Sequence, residues 1–152
     1  MRNVDRYFVC LGVLAGLGGL GIGLWMHFHE SYALAEVHGH TNLIGWVTMT
    51  LFGLAYRSGM ARKDAWAVAH LWVSGGAVAS FPTGMVIVML GGSAALVDIG
   101  AILTIASMAL FAANVLRALC TEQDDPHNAG KERAAMTHGV AVDRWTSRPR
   151  IG

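Results

Sequence analysis

The chain has 152 residues, 54% hydrophobic and 14% charged, with a mean hydropathy of +0.46, whereas a water-soluble domain of this size carries about a quarter charged residues. Its formal net charge of +1 says nothing about nucleic acid, and with no basic stripe away from the membrane-flanking positions no nucleic-acid partner is expected. The apolar residues are gathered into runs of about 20, the length that crosses a bilayer core, rather than spread at amphipathic periods.

Four such runs follow one another at residues 7–26, 38–56, 65–90 and 96–116. The first contains Gly16-Leu17-Gly18-Gly19-Leu20-Gly21. This fits a dinucleotide-binding fingerprint, but that motif has meaning only between a strand and a helix of a soluble unit. Within a span, Gly12, Gly16, Gly19 and Gly23 instead predict a face that admits a neighbouring backbone or a flat ligand. Ala33-Leu34-Ala35 has the small-x-small form of a signal cleavage site, although the preceding run is longer than a usual signal core. The second run is headed by His38-Gly39-His40. The third carries His70, the small residues Gly75, Gly76 and Ala79, and Pro82, which predicts a kink. Asp98 opens the fourth.

The expected fold is therefore all-α: an integral membrane four-helix bundle over residues 1–119, followed by a flexible tail over 120–152. The Lys and Arg residues fall at the N-terminus, in the second loop (Arg57, Arg62, Lys63), at Arg117 and in the tail; the first and third loops have none. By the positive-inside rule both termini are cytoplasmic and residues 27–40 face outward, in the inner (cytoplasmic) membrane of the cell. The tail histidines His127 and His138 are expected to be solvated, and Cys10, inside the first span, and Cys120, just past the fourth, lie on the expected cytoplasmic side, where no structural disulfide is expected.

A histidine in a span costs several kcal/mol unless it is paired or bound. His27, His29, His38 and His40 crowd into fourteen residues, which points to something that binds imidazole at the outer face. Two chemistries are open. If residues 38–40 are helical, side chains two apart diverge by about 200°. His38 and His40 then serve different sites, with Gly39 leaving room for a large planar group such as haem. If the helix begins after His40, the pair converges on a small ion such as copper, zinc or nickel, completed by His27 and His29, and by Glu30 or Glu36. No C-x-x-C-H is present, so any haem is held non-covalently. His70 is expected at a different depth and to bond a carbonyl or hydroxyl of a neighbouring helix. Trp46, Trp66, Trp72 and Tyr56 read as interfacial and packing aromatics, and Asp98 as an acceptor able to orient a ligand histidine.

His40-Thr41-Asn42-Leu43, followed by an apolar run ending in Phe52-Gly53-Leu54-Ala55-Tyr56, resembles the second span of the nitric oxide reductase large subunit, a member of the haem–copper oxidase superfamily. The pattern V-H-x-H-x-N-L-x-G-W over residues 37–46 is similar to short, single-unit subunit I-like proteins. The resemblance implies b-type haem with His38 and His40 as iron ligands, and Gly39, Asn42 and Trp46 beside it. It also implies a homotrimer that rebuilds a twelve-helix oxidase core, each haem clamped between His38 of one copy and His40 of the next. No paired adjacent histidines of an oxygen-reducing copper site are found. Electron transfer with a redox partner protein is therefore expected rather than gas reduction, and no catalytic residue is assigned. An outer-face copper-handling protein and a cofactor-free accessory subunit of a respiratory complex are the alternatives.

Overall fold

The computed structural model describes residues 3–123, and among them the chain is helical with no strand. It divides into Met1–Arg117 and Ala118–Gly152; the tail assigned to 120–152 lies outside the described residues from 124 onward. The elements are α1 (Val4–Phe28), α2 (Ala35–His40), a π-helical stretch (Thr41–Thr48), α3 (Met49–Ser58), α4 (Ala65–Met89) and α5 (Ala95–Gln123). Residues 35–58 keep helical dihedrals across both junctions, so α2, the π stretch and α3 form one continuous rod. Three helices are long and apolar enough to cross a membrane: Val4–Phe28, Ala65–Met89 and Ala95–Thr121.

The helices cover the apolar runs almost end to end, because hydrocarbon offers no partner for a free backbone amide and a helix satisfies those of its interior internally. Two ends close on glycine. Gly59 (φ 86°) and Gly91 (φ 80°) take the left-handed conformation, and the residue after each donates back to a carbonyl one turn inside, Met60 to Ala55 and Gly92 to Ile87. Asp64 caps the start of α4 by accepting from the Trp66 amide at 3.0 Å. Pro82 lies inside α4 and the helix continues through it, so the expected kink does not break the element.

The glycines of α1 form a seam against the 35–58 rod. A Cβ built on Gly12 meets Thr50, on Gly16 meets Trp46, on Gly19 meets Asn42 and on Gly23 meets His38. These pairs run in opposite directions along the two helices, so α1 and the rod are antiparallel and their backbones approach closely. Gly18 and Gly21, on the other side of α1, meet nothing within 4 Å. A second seam joins α4 to α5, where Gly84 lies against the Val97 backbone and Gly100 against that of Phe81. The core gathers at the end bearing Arg62, around Val4, Phe8, Met49, Phe52, Tyr56, Ala61 and Ala67. Leu14, Leu17 and Leu20 of α1, Trp72 of α4 and Ile102 and Ile105 of α5 are exposed, an apolar surface consistent with contact with a lipid bilayer.

Candidate functional site

His38 and His40 both lie in α2 and are helical. The condition attached to a single shared ion, a helix beginning after His40, is not met: the helix begins at Ala35. The side chains diverge as the helical angle requires. His38 lies in the α1 seam, its ring against Gly23 and its Nδ1 2.8 Å from the Gly19 carbonyl oxygen. His40 faces α4, its ring centroid 5.2 Å from that of Phe81. Its Nδ1 lies 2.9 Å from the Glu36 carbonyl oxygen.

A carbonyl oxygen can only accept, so in both residues Nδ1 carries the proton and donates it. A neutral imidazole so arranged keeps its lone pair on Nε2. This is the tautomer of a metal ligand, whose second nitrogen is commonly tied to a carbonyl or carboxylate. Asn42 supports His38: its Nδ2 donates to the His38 carbonyl oxygen at 2.9 Å and lies 3.4 Å from each ring nitrogen. Its amide also fills the notch at Gly19. Asn42 thus packs behind the imidazole, while Trp46 lies one turn further along the same seam, against Gly16 and half exposed. Gly39 is exposed, and a Cβ there would meet nothing.

The remaining outer histidines are separate. His27 is exposed in the last turn of α1, and His29 stacks on Trp25 with its Nδ1 donating to the Trp25 carbonyl oxygen at 2.8 Å. Among the described residues no three His, Cys, Asp or Glu side chains come together as a metal ion requires. Asp98 is exposed in the first turn of α5, and among the described residues it bonds no histidine.

No family model, curated protein or solved structure matches the chain. The site therefore has to be read from its own geometry.

His70 bonds hydroxyls of neighbouring helices, as expected, but within a network the sequence did not disclose. Asn114 Nδ2 donates to the Arg62 carbonyl oxygen (3.1 Å) and to the Tyr56 hydroxyl (3.0 Å). Tyr56 Oη lies 2.9 Å from His70 Nδ1, His70 Nε2 lies 3.2 Å from Ser107 Oγ, and Ser107 Oγ lies 2.7 Å from Ser74 Oγ. Ser74 spends its proton on the His70 carbonyl oxygen at 2.7 Å. Ser107 must therefore donate to Ser74, His70 Nε2–H to Ser107, and Tyr56 O–H to His70 Nδ1. All five residues are buried. Tyr56 is consequently a packing aromatic, stacked on Phe8, and at the same time a fully enclosed polar node rather than an interfacial one. Phe8, Phe52 and Phe111 pack around the imidazole with ring centroids 4.6–5.8 Å from it. With both nitrogens engaged, His70 has no lone pair to offer an iron. It also lies eleven residues from Phe81, about 16 Å along α4 from the His40 level. Asn114, Ser107 and Ser74 carry no recognisable motif; only their polarity within apolar runs marked them.

Proposed function

We propose that the chain is a four-span membrane protein that binds b-type haem through His38 and His40 and passes electrons, with the 35–58 rod as the fourth span. The observation that carries the reading is the pair of Nδ1–carbonyl contacts. On opposite flanks of one helix, two imidazoles are each held by a backbone carbonyl at Nδ1, which leaves the lone pair on Nε2; at His38 that nitrogen meets the long 3.4 Å contact from Asn42 Nδ2. The exposed Gly39 between them fits a large planar group lying against the backbone. Haem with two imidazole ligands has no open coordination position, so it supplies one-electron transfer rather than chemistry on a bound gas.

The residues of this chain position the donors and exclude alternatives. Gly19 and Asn42 hold the His38 ring; the Glu36 carbonyl and Phe81 hold that of His40. Because the two rings diverge, each copy offers two half-sites, which is the need a homotrimer would meet. The cation pattern is consistent with an Arg62 end in the cytoplasm and a His40 end outside. The test is a reduced-minus-oxidised visible spectrum of detergent-purified protein from haem-replete cells. A sharp low-spin b-type spectrum is expected; a colourless protein that takes up no added haem would overturn the proposal.

A further inference from the structure

At the His40 end of the chain, α2 faces α4 across a small pocket of about 150 Å³ lined by Glu36, Met85, Val88, Met89 and Val97. Its size decides what class of ligand it can take. Small-molecule sites enclose about 300–1,000 Å³; at about 30 Å³ per water this pocket has room for about five waters, which suits a small ion that keeps part of its hydration. Its donors decide which ion. Met85 and Met89 are four residues apart on α4, so their side chains leave one face of the helix, and both line the pocket. Glu36, from α2, adds one carboxylate.

Among the described residues Glu36 makes no ion pair, and the turns at this end, residues 29–34 and 90–94, contain no Lys or Arg. One oxygen ligand group is too few for calcium or magnesium, which need about six or more oxygens. Without an imidazole or thiolate among its donors, the pocket also does not suit zinc. Thioethers select soft, monovalent ions of the copper(I) type.

We propose that Met85, Met89 and Glu36 form a binding site for a soft monovalent cation, copper(I) or silver(I), distinct from the imidazole donors of His38 and His40. The carboxylate neutralises the ion while the two sulfurs supply its soft ligands. Nothing in the binding step is oxidised or reduced. The site is independent of the haem reading, because His40 turns its ring to Phe81 and meets Glu36 only through the backbone carbonyl.

The test uses the full-length chain in detergent with Cys10→Ser and Cys120→Ser, since both cysteines are exposed thiols that would capture the same ions. In that background every sulfur is a methionine. Copper(I) added anaerobically should bind at one equivalent through this site and show a sulfur shell by X-ray absorption. Met85→Leu with Met89→Leu, which conserves volume, should remove the sulfur shell. Glu36→Gln should weaken the site by about tenfold or more, and His40→Ala should leave the sulfur shell in place. Circular dichroism and elution volume check that the variants fold. No sulfur shell in the parent, or an unchanged one in the double leucine variant, overturns the proposal. An unaltered haem spectrum in the double leucine variant is expected, so failure here and failure of the haem reading are told apart.

Discussion

At the scale of single residues, the distinction that matters is which nitrogen of a histidine is left over. His38, His40 and His29 each donate Nδ1–H to a helix carbonyl and keep Nε2, while His70 uses both nitrogens on hydroxyls. Residues of the same type are thus sorted by their partners into ligand-like and structural. His38→Ala and His40→Ala should each abolish haem retention in the purified protein without removing the chain from the membrane. Asn42→Ala, which frees the His38 ring without deleting it, should weaken haem binding by about 10–100-fold. His127→Ala and His138→Ala should have no effect on a haem titration. If His27 and His29 prove indispensable and His40 dispensable, the ligand assignment is wrong.

The elements show why glycine is tolerated where helix propensity argues against it. Each glycine in a helix costs about 1 kcal/mol relative to alanine, and α1 has six. Four of them face the 35–58 rod, where a Cβ has no room: on Gly19 it would lie 2.5 Å from Asn42 Oδ1, and on Gly12 2.5 Å from Thr50 Oγ1. The approach is close enough for the Gly19 carbonyl to reach His38, so the seam that packs the helices also sets the tautomer. The π stretch belongs to the same contact. At its start Thr41 and Asn42 bond the Val37 and His38 carbonyls through their side chains, and such back-bonding loosens the regular ladder. Gly19→Ala should therefore destabilise the protein by about 1–3 kcal/mol and loosen haem binding together with it. Gly21→Ala, in open space, should be neutral or stabilising by up to about 1 kcal/mol. Thermal unfolding in detergent, followed by circular dichroism, compares the two; equal losses would mean that the seam is misassigned.

For the whole molecule, the four rods are joined at the Arg62 end by polar contacts that apolar packing alone cannot specify. The Asn114–Tyr56–His70–Ser107–Ser74 network links α3, α4 and α5, and Lys63 pairs with Asp5 of α1 at 3.1 Å. Arg117 of α5 reaches Asp64, the cap of α4, at 3.0 Å. Lipid tails are as apolar as leucine, so burial of apolar side chains gives little preference for one arrangement of spans over another; a closed network does. Tyr56→Phe leaves His70 Nδ1 and an Asn114 N–H without a partner, and should cost about 1–3 kcal/mol in the same unfolding measurement while sparing the haem spectrum. The divergence of His38 and His40 makes a second prediction at this scale. Co-expressing His38→Ala chains with His40→Ala chains should restore part of the haem that neither variant binds alone, because mixed assemblies contain interfaces with both histidines intact. Haem bound stoichiometrically by a demonstrated monomer would contradict shared ligation.

Composition and run length were sufficient to predict an all-helical chain with long apolar helices, because a bilayer-length apolar run has few other ways to satisfy its backbone. The small-residue spacing of Gly12, Gly16, Gly19 and Gly23 likewise marked one face of α1 for close approach, and the two-residue spacing of His38 and His40 fixed their divergence once the segment was helical. What covered the glycine face was not legible, since Asn42, Trp46 and Thr50 become its partners only when a second helix is laid against it in one register. The same holds for Tyr56, His70, Ser107 and Asn114. They are separated by up to 58 residues in the chain and share no local pattern, and each hydrogen bond depends on the direction from which another helix arrives. Local periodicity determined which face each helix offers, and a carbonyl four residues back ties the Nδ1 of His29 and His40; only tertiary packing decided which polar groups meet and which partners the rings of His38 and His70 find.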